Sequence, residues 1–120
     1  MYLQTNLEIT ENPPVKLTLV TVVVQNSRVV YATVSETNFG SVHHVTLPSN
    51  ELTKSLAKID NNQSNHGSAS DIKSGDVWQD YPHNGFATIW EVEETRGRSR
   101  SVNLTYDQVG QLIDFFFPKQ

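Results

Sequence analysis

Histidines, clustered carboxylates and a run of arginines are the residues here whose types could do chemistry. The chain has four histidines and no cysteine. The lack of thiols excludes disulfide frameworks, Cys-type zinc sites and thiol catalysis together. His43 and His44 are adjacent in VHHVTL. On a strand, adjacent side chains point to opposite faces, so the pair cannot easily share one ion. His43 is in phase with Val45 and Leu47 and is expected to face the core or a pocket wall. His44 is in phase with Thr46 and is expected to face solvent. His66, Asp71, Asp76, Asp80 and His83 are metal-ligand types within one polar stretch, yet their spacing matches no known site. No metal and no cofactor is assigned.

Glu91 and Glu93 would share one face of a strand, with Glu94 beside them. Paired carboxylates can do acid–base work. Near a hairpin tip, a solvated charged edge is the plainer reading. Arg96, Arg98 and Arg100 fall within five positions, at a turn. Such a cluster can grip phosphates or an acidic partner. It can equally pair with the glutamates across the hairpin, which would leave the arginines peripheral to the fold. No catalytic residue is assigned.

A third group lies in the polar stretch at residues 60–85. A loop of this length is long for a compact domain, and such loops tend to be functional or disordered. Its first half, NNQSNHGSAS, is expected to be mobile. Its second half carries Ile72, Val77, Trp78 and Tyr81 and is expected to dock. A pocket beneath it would draw on His43, Asp76, Trp78, Asp80, Tyr81, His83 and Trp90, and would suit a cationic or planar ligand. Glu91 is a further carboxylate within its reach. The plainer alternative makes Trp78 a core plug.

The elements that must position these residues follow from periodicity. Leu3, Leu7 and Ile9 suggest a short strand or arm, ended by Pro13 and Pro14, which remove two backbone donors. KLTLVTVVVQ, residues 16–25, is apolar on both faces, which indicates a central strand or one covered on both sides. Asn26 and Ser27 form the turn, and residues 28–36 return. Residues 42–47 make a third strand and Ser49 caps a helix over 49–59, whose stripe is Leu52, Leu56 and Ile59. Residues 86–94 and 99–104 form a second hairpin through TRGR. Thr105 with Gln108 is a capping-box pattern opening a helix over 105–117. The class is α+β: one antiparallel sheet of about five or six strands, with both helices on one face.

The two strand–helix units align. Val45, Leu47, Leu52, Leu56 and Ile59 meet Val102, Leu104, Val109, Ile113 and Phe116. An ancient β-β-α duplication and plain convergence on one pattern are both open.

The second helix ends in three consecutive phenylalanines. With Val109 at zero on a helical wheel, Phe116 lies near 340°, Leu112 near 300° and Ile113 near 40°, each about 100° per residue apart along the chain. Those residues make a core stripe. Phe115 near 240° and Phe117 near 80° widen it to about 200°, beyond what one sheet can cover. Cover by a second subunit makes Phe115 and Phe117 interface candidates. Cover by the folded-back loop is the alternative.

The chain has 120 residues, which indicates one domain, and a net charge of -4. That balance argues against a non-specific nucleic-acid binder. The opening segment lacks a basic n-region and an apolar core of signal-peptide length, so a cytoplasmic, unexported chain is expected. No window reaches membrane-helix length. The leading expectation is a small non-catalytic binding or interaction protein, homodimeric, of the kind an accessory protein of a phage or mobile element would be. The alternatives are a small-molecule-binding protein or small enzyme with its pocket under the loop, and nucleic-acid contact through the arginine hairpin.

Overall fold

The computed structural model describes residues 4–9, 13–38, 40–64, 71–79 and 85–118, with backbone alone for residues 4–6. β1 (Gln4–Ile9), β2 (Val15–Val24), β3 (Ser27–Asn38) and β4 (Ser41–Pro48) form an antiparallel meander in that order, and α1 (Ser49–Asp60) follows. β5 (Val77–Gln79), β6 (Phe86–Glu93) and β7 (Arg98–Thr105) form a second antiparallel sheet, followed by α2 (Tyr106–Phe116). The α+β class holds. The strands, however, divide into two sheets, and β5 has no counterpart among the expected elements. α1 packs against β3, β4 and β5, and α2 against β6, β7 and α1.

A side chain stands at the division. β4 and β7 are neighbouring edges. The outward N–H of Thr46 on β4 donates to Glu91 Oε1 at 2.6 Å, not to a carbonyl of β7. The carboxylate stands where a ladder bond would form. Glu91 was expected at a solvated edge, and its reach across to β4 corrects that.

The long hairpin turns on Gln25 and Asn26, whose φ values are 49° and 66°. Two left-handed residues in a two-residue loop make a type I′ turn, which matches the twist of the flanking strands. The turn lies one residue earlier than expected, as the Val24↔Ser27 pairing requires.

Thr105 caps α2 as the sequence indicates. Its Oγ1 accepts from Gln108 N at 3.1 Å, and Gln108 Oε1 accepts from Thr105 N at 2.9 Å. Gln108 is fully buried, and its Nε2 donates to the Pro13 carbonyl at 2.6 Å. Each polar end of this side chain therefore has a partner, which is what burying an amide demands. α1 differs: Pro48 is its N-cap, without a side-chain cap bond, and Ser49 is already helical.

One buried cluster draws on both sheets and both helices. The two β-β-α units agree in register. Ala32, Val34 and Glu36 stand opposite Leu47, Val45 and His43, as Ala87, Ile89 and Glu91 stand opposite Leu104, Val102 and Arg100. The helices match less well. Leu52, Leu56 and Ile59 are buried, whereas Ile113 and Phe116 are half-buried and Leu112 is fully buried. The buried arc of α2 centres near Leu112, with Gln108 and Val109 the other buried residues of the helix. Phe115 joins that arc. It meets Phe116 edge-to-face, with ring centroids 5.4 Å apart, and both are half-buried. Phe117 is 60% exposed.

The apolar half of the 60–85 stretch docks through residues 71–79. Ser55 Oγ donates to the Gly75 carbonyl at 2.8 Å, and Ser74 Oγ both accepts from Val92 N at 2.7 Å and donates to Val92 O at 3.0 Å. Val77 is fully buried, so it plugs the core in place of Trp78, which is 42% exposed. Strand alternation explains the exchange, since neighbours on β5 face opposite ways. The expectation of mobility falls largely on residues 65–70, and part of the docking expectation on 80–83; both lie outside the described residues.

Candidate functional sites

The first site is an apolar ribbon. The β1–β2 pairing ends at Gln4↔Val20 and the β3–β4 pairing at Tyr31↔Pro48. Among the described residues, 21–30 therefore project past both neighbouring strands as a two-stranded ribbon. β2 is central where β1 and β3 flank it, as its two-faced pattern suggests. Its last three residues are covered on neither face: Val22, Val23 and Val24 are all exposed, Val24 at 56%. Val30 and Tyr31 on β3 are exposed as well. Alternation places Val22 and Val24 on one face with Val29 and Tyr31, and Val23 on the other with Val30. Exposed apolar surface of this continuity marks contact sites. An isolated two-stranded ribbon is also marginal in water without a covering surface.

The second site is a polar groove of about 330 Å³ where the two sheets meet. Val42, His43 and His44 line it from β4, and Ser99, Arg100 and Ser101 from β7. His43 is exposed and lines the groove, so of its two expected places, core or pocket wall, it takes the second. Its strand phase is right, but the apolar interior ends at Val45, and His43 continues that face into the groove. Arg100 Nη1 lies 3.9 Å from Glu91 Oε2, a long and weak contact. Two residues expected at separate sites, His43 and Arg100, are thus brought together. A sequence signal existed for this: the spacing that pairs Val45 with Val102 also pairs His43 with Arg100. His44, Ser99 and Ser101 belong to the groove and were not singled out as ligand contacts.

The other pocket candidates stand apart from it. Asp76 is buried and accepts from Lys73 N at 2.7 Å, closing a turn. Its backbone carbonyl accepts from Trp90 N at 3.1 Å. Trp78 and Trp90 share the outer face of the second sheet, through the Trp78↔Thr88 pairing. His43 does not join them, because β6 and β7 intervene. Asp80, Tyr81 and His83 lie outside the described residues. Among the described residues, no three histidine or carboxylate side chains gather as a cation site would need.

The arginine hairpin turns through a 3₁₀ segment at Glu94–Arg96 and Gly97 in the left-handed region. Arg96 Nε lies 3.4 Å from Glu93 Oε1. Arg96, Arg98 and Arg100 are all exposed. Exposed pairs contribute little to stability. Replacing all three by alanine is therefore expected to leave the melting temperature nearly unchanged in a thermal scan. A drop of many degrees would show that they carry the fold.

Among the described residues, no helix is long and apolar enough to cross a membrane. No protein-family model, no curated protein and no solved structure matches the chain.

Proposed function

We propose that the chain is a non-catalytic interaction protein that pairs with a second copy of itself. The observation that carries this reading is the ribbon at residues 21–30, with valines exposed on both faces. A surface apolar on two sides suits a partner that wraps or interdigitates with it. Two copies related by a two-fold axis achieve that with one self-complementary patch. Arg28 is the one charged residue on the ribbon, so two ribbons can approach with little repulsion. The free edges of β2 and β3 beyond Val20 and Tyr31 also offer backbone groups for pairing. The groups best suited to acid–base work are engaged elsewhere: Asp76 closes a turn, and Glu91 holds the Thr46 amide.

Sedimentation across a concentration series tests this. The wild type is expected to be dimeric at micromolar concentration. Val22→Lys and Val24→Lys should each shift it toward monomer without unfolding it, because both positions lie beyond the core. A wild-type monomer at high micromolar concentration would overturn the reading. A dimer indifferent to the ribbon changes but lost in Phe117→Glu would move the interface to the end of α2, where Phe115 and Phe117 were expected to place it.

A further inference from the structure

The groove between β4 and β7 has no part in that reading, and its chemistry points to a small ligand. We infer that it is a binding slot for a tetrahedral oxyanion, of the phosphate or phosphomonoester class. Its titratable lining consists of two imidazoles and a guanidinium, with two serines beside the arginine and no carboxylate. Its volume, about 330 Å³, falls at the lower end of small-molecule sites, which suits a compact anion and not a polymer strand.

The backbone adds donors. In an antiparallel ladder, alternate residues turn their N–H toward the partner strand and away from it. Thr46 N–H points away from β3, since it donates to Glu91. The N–H groups of His44 and Val42 point the same way, into the groove. No hydrogen-bond partner holds either of them among the described residues. The β4 edge thus presents a row of outward amides, one of which is already satisfied by a carboxylate.

That carboxylate shows what the edge accepts. Glu91 sits at the inner end of the gap as a built-in anion, with Oε1 on the Thr46 amide and Oε2 facing Arg100. A free oxyanion would take the next amides outward, at His44 and Val42, and share the same guanidinium. The side chains of His43 and Arg100 lie on the inner face of their strands, and the outward amides of β4 lie in the plane of the sheet, so donors meet the anion from two directions; the His44 ring is on the opposite face. Such an arrangement surrounds a tetrahedral group better than a planar one. Two carboxylates border the slot without lining it: Glu91, whose charge is partly met by its two partners, and Glu36, which is 2% exposed and turned into the core across from His43.

Titration with inorganic phosphate, followed by NMR, tests the inference. The expected result is a saturable shift of the His43 ring protons, the Arg100 Nε–H and the His44 and Val42 amides. Sodium chloride at matched ionic strength should not reproduce it. Arg100→Gln should weaken phosphate on the order of tenfold, as loss of a charge-assisted donor does. Arg98→Gln, on the same strand but outside the groove, should leave it unchanged. Glu91→Gln should tighten it, because it removes the neighbouring negative charge and releases Arg100. Absence of saturation, or equal losses in Arg98→Gln and Arg100→Gln, would overturn the slot in favour of diffuse surface charge. Acetate binding as tightly as phosphate would overturn the tetrahedral assignment. These outcomes are read on the ligand and are independent of whether the chain dimerises.

Discussion

Leu112→Ala is expected to lower the stability of this protein by about 2–5 kcal/mol, and Phe117→Ala by no more than about 0.5 kcal/mol. Leu112 is fully buried where α2 meets the sheet, so truncating it leaves a cavity that close-packed neighbours fill only in part. Phe117 is a larger side chain, but it is 60% exposed and has little to lose. Phe116→Ala should fall between them, below the about 3–5 kcal/mol of a fully buried phenylalanine, because its ring is half-buried beside Phe115. Urea unfolding of the three variants at one protein concentration, low enough to suppress self-association, gives the ranking. Equal losses at Phe116 and Leu112 would return the helix to the orientation read from its wheel, centred on Val109. A large loss at Phe117 would mean that a covering surface is present even in the dilute protein.

Gln108→Ala should cost as much as a core truncation, although the residue is polar. Its side chain is wholly buried and makes two hydrogen bonds beyond the one its backbone N–H donates to Thr105 Oγ1. Removal strands the Thr105 N–H and the Pro13 carbonyl; a buried group left unsatisfied costs about 1–3 kcal/mol, and the half-burial of both residues places each loss toward the lower end. Gln108→Met keeps most of the volume but not the bonds, so it separates the two contributions. Thr105→Ala provides a scale, since loss of a capping hydroxyl costs about 0.5–2 kcal/mol. If Gln108→Met were as stable as the wild type, the bond to Pro13 would add nothing to folding. If Gln108→Ala cost no more than Thr105→Ala, the residue would matter as a cap alone.

These two residues also show where sequence reasoning reaches its limit. The capping box was legible because its parts lie three residues apart and its geometry is local. The bond from Gln108 to Pro13 was not, because it spans most of the chain. The hairpins and helices were legible from periodicity, and the α+β class followed. The partition into two sheets was hidden, because periodicity marks strands but not which edges pair, and the contact found at that seam joins Glu91 to the amide of a strand far away in sequence. β5 was hidden for another reason: three residues are too few for a period to declare itself. Alternation gave the face on which His43 lies, but it cannot say where along a strand the apolar interior stops. The residues gathered as one pocket were chosen by type within a stretch. The fold instead distributes those it describes among a turn, an outer face and a groove. The groove came together because the two units share a register, which sets His43 beside the counterpart of itself, Arg100.

The ribbon's two valine faces also carry a consequence for how the hairpin finds its alignment. Where one face of a strand is buried and the other wet, a slip by one residue is heavily penalised, because every side chain changes sides. Between residues 21 and 30 that penalty nearly vanishes, since a slipped strand still offers valine to either side. The alphabet of inside and outside is missing there. Alignment of the tip falls instead to the two left-handed residues of the turn and to the anchored half of the hairpin, where Leu17, Ala32 and Val34 do distinguish the faces. The tip is thus a segment whose pairing is dictated from its two ends and tolerated in between, a latitude on which the proposed pairing of two copies would draw.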